Sequence, residues 1–128
     1  MENLNIEGTP KTPTIILNAE QRELLIKGRS IPENSIEFYK PLVTALDECA
    51  KEESDGLTVN IVLEYFNTSS SKCLLDIFKK LEKINEKKEG SVSINWFYEE
   101  DDEDMLEAGE DYQAIINIPF TMKEINEV

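Results

Sequence analysis

Leu57, Val59, Ile61, Leu63 and Tyr65 alternate with Thr58, Asn60, Val62, Glu64 and Phe66. A two-residue period sustained over that length predicts a β-strand, and its apolar character places it centrally in a sheet. Past Phe66 the period changes. Cys73, Leu74, Ile77, Phe78, Leu81 and Ile84 form one stripe of a helix running from about Ser70 to Lys87, with the lysines off the stripe or near its end and Gly90 as its stop. Val92, Ile94, Trp96 and Tyr98 then resume the strand period. Strand, helix and strand in succession supply the crossover that a parallel pair needs.

Upstream, Gly8-Thr9-Pro10-Lys11-Thr12-Pro13 enters as an extended segment. Thr14 to Leu17 reads as a short strand, Asn18-Ala19-Glu20 as a turn, and Arg22 to Lys27 as a second strand ended by Gly28, so the two make a hairpin. Ser30 to Asn34 follows as a loop. Ile36, Leu42, Val43, Leu46, Cys49 and Ala50 then keep helical spacing from about Ser35 to Glu52. Pro41 interrupts that pattern and predicts either a kink, which we favour, or a separate first turn from Asn34 to Lys40. Ser54-Asp55-Gly56 reads as the turn into the central strand. Downstream, Glu99 to Asp111 predicts an exposed loop and a short helix docking lightly through Met105, Leu106 and Ala108. A last strand is expected around Ile115 to Met122, where Pro119 places it at an edge. With no repeat and no dividing linker, residues 1–128 read as one α/β domain, a mixed sheet with helices packed on it.

Charge narrows what such a domain can do. Thirteen basic against twenty-seven acidic residues give a net −14, which repels nucleic acid and anionic membrane surfaces. Nine of the acids stand among the thirteen residues from Glu99 to Asp111. Histidine is absent, which removes the usual general base, the Ser-His nucleophile pair and the commonest metal ligand. Cys49 and Cys73 form no CxxC pair and fall among apolar residues, so they read as core side chains. The acidic run lacks the spaced ligands and central glycine of a calcium loop, and reads as a solvated or partner-facing patch. No cofactor is implied. No apolar run reaches membrane-spanning length and the amino terminus lacks a basic start, so a reducing cytoplasm is the expected setting.

The candidate chemistry sits where the central strand meets its helix, at Asn67-Thr68-Ser69-Ser70-Ser71-Lys72. Three readings compete there. Asn, Ser and Thr are preferred N-caps, so the segment can be a plain helix start, with Ser69 and Ser70 read as the caps. Four hydroxyls beside an amide exceed what one cap needs, and a helix N-terminus suits a phosphate, bound or covalent. A small phosphate-handling enzyme using Thr68 or Ser70 with Lys72 is the third reading, and it lacks a base. Among the aromatic residues, Phe66 and Phe97 are the ones that a two-faced sheet could turn towards a groove.

Taken together, Gly28 to Asn34, Tyr65 to Lys72, Val92 to Trp96, Asp101-Asp102 and Glu107 to Tyr112 resemble the SiaC family of bacterial regulatory phosphoproteins. The resemblance spans nearly the whole chain, and YFNTSSSK is its most specific part. It implies a small α/β fold similar to the STAS domains of anti-sigma-factor antagonists, without enzymatic activity of its own. Thr68 falls on the family's phosphorylated threonine. The resemblance further implies a kinase of SiaB type that adds the phosphate and a PP2C-type phosphatase of SiaA type that removes it. The unphosphorylated form would bind and activate a diguanylate cyclase of SiaD type, and so act on cyclic di-GMP, aggregation and biofilm formation. Phe66, Asp101, Asp102 and Asp104 are the candidate partner contacts. The alternative is a STAS-type antagonist with the same switch and an anti-sigma kinase as partner.

Overall fold

The alternation from Leu57 to Phe66 is a strand with neighbours on both sides in the computed structural model, which describes residues 2–52 and 56–128. Along the chain run β1 (Leu4–Ile6), β2 (Thr14–Asn18), β3 (Glu23–Ser30), α1 (Ser35–Lys51), β4 (Leu57–Phe66), α2 (Thr68–Lys87), β5 (Val92–Glu99), α3 (Glu103–Ile115) and β6 (Phe120–Ile125). The strands form one six-stranded mixed sheet in sequence order. β1, β2 and β3 pair antiparallel as a meander, and β3 to β6 pair parallel through the three helices.

Right-handed crossovers that always advance in one direction put every helix on the same face of the sheet. The burial pattern follows. Leu24, Ile26, Val59, Ile61, Leu63, Ile94 and Trp96 are fully buried beneath the helices, whereas Leu25, Asn60, Val62, Asn95 and Phe97 on the other face are half-buried. Because the strand order never reverses, the sheet has no switch-point crevice of the kind that holds nucleotides in doubly wound folds.

Several expectations change in the structure. β1 has no counterpart in the sequence reading, since three residues are too few to show a period. Gly28 does not end its strand: with φ at 122° it sits at a slip in register before Arg29, where β4 carries one extra residue, and β3 continues to Ser30. Of the two readings of Pro41, the structure rejects the separate first turn and keeps the favoured single helix, with Pro41 inside α1. Ile36 is not a core residue but is 74% exposed. Ser54 and Asp55, in the turn expected before β4, lie outside the described residues. Gly56, which closes it, adopts a φ of 97°.

The acidic segment departs furthest. It does not dock lightly: α3 is a thirteen-residue helix that buries Met105, Gly109 and Tyr112, an i, i+4, i+7 stripe hidden among carboxylates. Gly109 makes the contact close, because a Cβ there would lie 2.5 Å from Cδ1 of Trp96. The Trp96 indole donates to the Met105 carbonyl at 2.9 Å, satisfying a buried N–H. Phe78, Trp96, Tyr112 and Phe120 complete an aromatic cluster between α2, α3 and the sheet, with ring centroids 4.9 Å apart for Phe78 and Tyr112. Ile115 is therefore the last helical residue, and the final strand begins at Phe120, at the sheet edge as Pro119 suggested.

Candidate functional site

The parallel strands β3, β4 and β5 end on one rim, and the three helices start there. Each start is capped by a side chain that accepts the N–H three residues on: Asn34 from Glu37 at 3.2 Å, Asn67 from Ser70 at 2.8 Å and Asp102 from Met105 at 3.0 Å. Asn67 alone is therefore the cap of α2, not Ser69 or Ser70, because it is the residue with extended φ and ψ before the first helical turn. The first turns of α1 and α3 carry acids of their own, Glu37 in one and Glu103 with Asp104 in the other. That of α2 carries none.

The hydroxyls of the segment divide sharply. Ser70 is fully buried, and its Oγ donates to the Ser30 carbonyl at 3.0 Å and accepts from Ser30 Oγ at 2.8 Å. Tyr39 lies 2.5 Å from Ser30 Oγ, and with the serine proton directed at Ser70 the phenol is the donor. Ser69 is exposed but committed, to Asn67 Oδ1 at 3.1 Å and Ser35 Oγ at 2.7 Å. Ser71 Oγ donates to the Thr68 carbonyl at 2.6 Å. Thr68 is the exception: it is exposed, and among the described residues its hydroxyl has no hydrogen-bond partner. The backbone N–H groups of Thr68 and Ser69 are likewise without an acceptor among those residues. Lys72, four residues on, shares the Thr68 face of the helix and is exposed.

Burial pushes the Tyr39 phenol up to about 12. Burial, with Asp76 as a lesser cause, holds the Cys73 thiol above its usual range. Cys49 is a core residue as read, whereas Cys73 is half-buried in the wall of a groove between α1 and α2. That groove, about 810 Å³ in volume, has Thr68 at its edge, with Ile36, Tyr39 and Val43 on the facing helix.

The remaining candidates lie along the same rim. Phe66 packs edge-on against Trp96 and lines a small cleft with Tyr65, Asp102 and Asp104. Asp101 and Asp104 are exposed, but Asp102 has its carboxylate at the N-terminus of α3, so its first role is structural. Phe97 faces outward on the open side of the sheet, 5.8 Å from the Lys123 ammonium. Ser30, Ser35 and Tyr39 were missed by the sequence reading, for they come from another junction some thirty to forty residues away. Among the described residues no three His, Cys, Asp or Glu side chains could hold a metal ion, and no helix is long and apolar enough to cross a membrane.

Comparison with known proteins bears on what this rim serves. A crystal structure of apo-SiaC from Pseudomonas aeruginosa is 31% identical and superposes with a TM-score of 0.85, covering 96% of this chain and 99% of that one. A structure of the diguanylate cyclase SiaD in complex with its activator SiaC, from the same bacterium, matches at 30% identity and a TM-score of 0.88 over 95% of this chain and 99% of the chain matched. An uncharacterized protein of P. aeruginosa strain UCBPP-PA14 is 30% identical over 127 residues, 99% of this chain and all of that one. The family model for SiaC regulatory phosphoproteins matches residues 6–125, taking in the whole sheet from Ile6, all three helices and the Thr68 rim. The chain therefore belongs to the SiaC family of regulatory phosphoproteins.

Proposed function

We propose that this chain acts as one domain whose unphosphorylated form binds and activates a diguanylate cyclase, and that phosphorylation of Thr68 blocks the binding. The observation that carries the assignment to Thr68 is its exposed, unbonded hydroxyl in the first turn of a helix that has no acid there. Ser69, Ser70 and Ser71 are each engaged, and Ser70 is out of reach of a kinase. The partner class is supported by the complex of a relative with SiaD. On this reading the protein is a cytoplasmic regulator without catalysis of its own, and a SiaB-type kinase and a SiaA-type phosphatase set its state.

A phosphate on Thr68 adds about −1.5 to −2 charges. Within the domain it meets two free N–H groups, the positive end of the α2 dipole and Lys72, so the fold tolerates it. Against a partner surface shaped for a neutral hydroxyl, a desolvated dianion costs several kcal/mol by order of magnitude, and each 1.4 is about tenfold in affinity. The switch then works by local exclusion with little refolding. Thr68→Asp should lose cyclase capture by about tenfold or more while Thr68→Ala keeps it, both melting near wild type. Tight binding by Thr68→Asp would end the exclusion mechanism. Treatment with the cognate kinase should place one phosphate on Thr68, read by mass spectrometry, and a phosphate on Ser69 or Ser71 instead would reassign the site.

A further inference from the structure

With every helix on one side, the sheet keeps a second face that no helix covers, and Ile16, Leu25, Val62 and Phe97 stand half-buried on it. Its charges balance. Glu23, Glu64 and Glu99 share the open-side positions of the strands with Lys27, Arg29 and Lys123, a net charge of zero on a chain of −14. Most of the acids in excess belong to the helices and the loops. At the centre of the face, Asn60 and Asn95 are in register on neighbouring strands, and the Asn95 amide donates to Asn60 Oδ1 at 2.9 Å. Asparagine is a poor strand former. The pair also leaves the Asn60 amide as a donor and Asn95 Oδ1 as an acceptor without partners among the described residues.

A face with three charges of each sign, and with an open donor beside an open acceptor, is complementary to itself under a two-fold axis. A uniformly acidic or basic partner would meet three like charges there. The strand registers fix where such an axis lies. Ile26, Ile61 and Trp96 are in register across β3, β4 and β5. An axis along that row, between two copies, lays each strand antiparallel on its own counterpart, as two sheets pack when aligned within about 30°. Glu23 then stands opposite Arg29 of the second copy, since both are three residues from Ile26, and the asparagines flank the axis. Area sets the strength of the contact. Five strand spacings of about 4.8 Å by six residues at about 3.3 Å give a face on the order of 500 Å² per copy. About 1,000 Å² in all is the lower limit of a specific interface and belongs to a weak, concentration-dependent dimer. We infer that the open sheet face is the seat of a second copy of this chain, in an antiparallel sheet-on-sheet dimer that leaves the helices and Thr68 of both copies free. The excess acids lie away from this face, and screening over about 8 Å at physiological salt weakens their repulsion.

The test is sedimentation equilibrium of the full chain at physiological salt. The average mass should rise from 14.7 kDa towards about twice that value as concentration climbs through about 10 to 500 μM. Glu23→Arg alone sets two pairs of arginines against each other across the axis, and Arg29→Glu alone sets two pairs of glutamates. Each should weaken self-association by about tenfold or more. Both should melt near wild type, since the two sites are exposed and the Arg29–Glu64 ion pair, at 3.9 Å, is a surface contact worth little. Mixed one to one, the two variants restore both opposite-charge contacts, and their heterodimer should form within about threefold of wild-type affinity. A damaged fold would not be rescued by mixing. A mass that stays at 14.7 kDa throughout the range, single variants that associate as tightly as wild type, or a mixture that associates no better than its components each overturns the dimer.

Discussion

Asn67, Thr68, Ser69 and Ser70 are chemically similar neighbours, and their different fates come from a few ångströms of placement. A row of hydroxyls at a strand-to-helix junction was legible in the sequence, as was its double suitability for capping and for phosphate. Which member does which was not, because that depends on the residue at which φ and ψ turn helical and on Ser30, Ser35 and Tyr39 from a distant junction. The burial of Tyr39 beside Ser30 and Ser70 has a measurable consequence. Tyr39 titrates at about 12 in the fold, against about 10 for a free phenol. The unfolded chain therefore loses that proton first as pH rises, so the stability Tyr39 contributes is complete below about pH 10 and is lost towards 12, on the order of 2–3 kcal/mol. Urea midpoints between pH 9 and 11.5 should fall less steeply in Tyr39→Phe than in wild type. At neutral pH the same variant should cost about 1 kcal/mol, since Ser30 loses a donor but keeps its own bond to Ser70. Parallel pH curves for the two proteins would mean that burial does not raise the Tyr39 phenol.

At the scale of elements, β4, α2 and β5 were read nearly as they are, because each holds an uninterrupted apolar period against the core. α3 was not. Its stripe of Met105, Gly109 and Tyr112 has a glycine as its central member, and nine acids in thirteen residues mask the rest. A helix with so few apolar side chains stays in place through close approach rather than through area. Gly109 permits that approach, with Trp96 Cδ1 and Nε1 at 2.5 and 2.6 Å from where a Cβ would stand and Met122 Sδ at 2.9 Å. Trp96 is fully buried and cannot swing aside. Gly109→Ala gains helix propensity worth about 1 kcal/mol, yet it overpacks the ring, a cost of about 1–3 kcal/mol or more. The packing term should win, and the melting temperature should fall. A rise would mean that α3 shifts freely on the sheet, contrary to the indole bond to Met105.

Across the whole molecule, advancing the strands in one direction gathers three helix starts, three caps and Thr68, the residue proposed as the switch, on one rim. The same topology brings the acidic start of α3 beside the end of β4, where Glu64, Phe66, Asp102 and Asp104 share a cleft just before Asn67. Charges there lie within reach of any partner that approaches Thr68, and at physiological salt their field extends about 8 Å. Such a field acts on encounter more than on the bound state, so its signature is in association rate and salt dependence. Asp102 has to be left intact in a test, since its loss would uncap α3 and cost about 1 kcal/mol on its own. Asp101→Lys with Asp104→Lys moves the net charge from −14 by four units and leaves the cap in place. At low salt this pair should slow association with the cyclase several-fold, by about threefold to tenfold, and the difference should close near 1 M salt. The dissociation rate and the melting temperature should hardly move, as long-range steering requires. Equal association rates for the double variant and wild type at every salt concentration would leave the acidic rim with no part in partner capture.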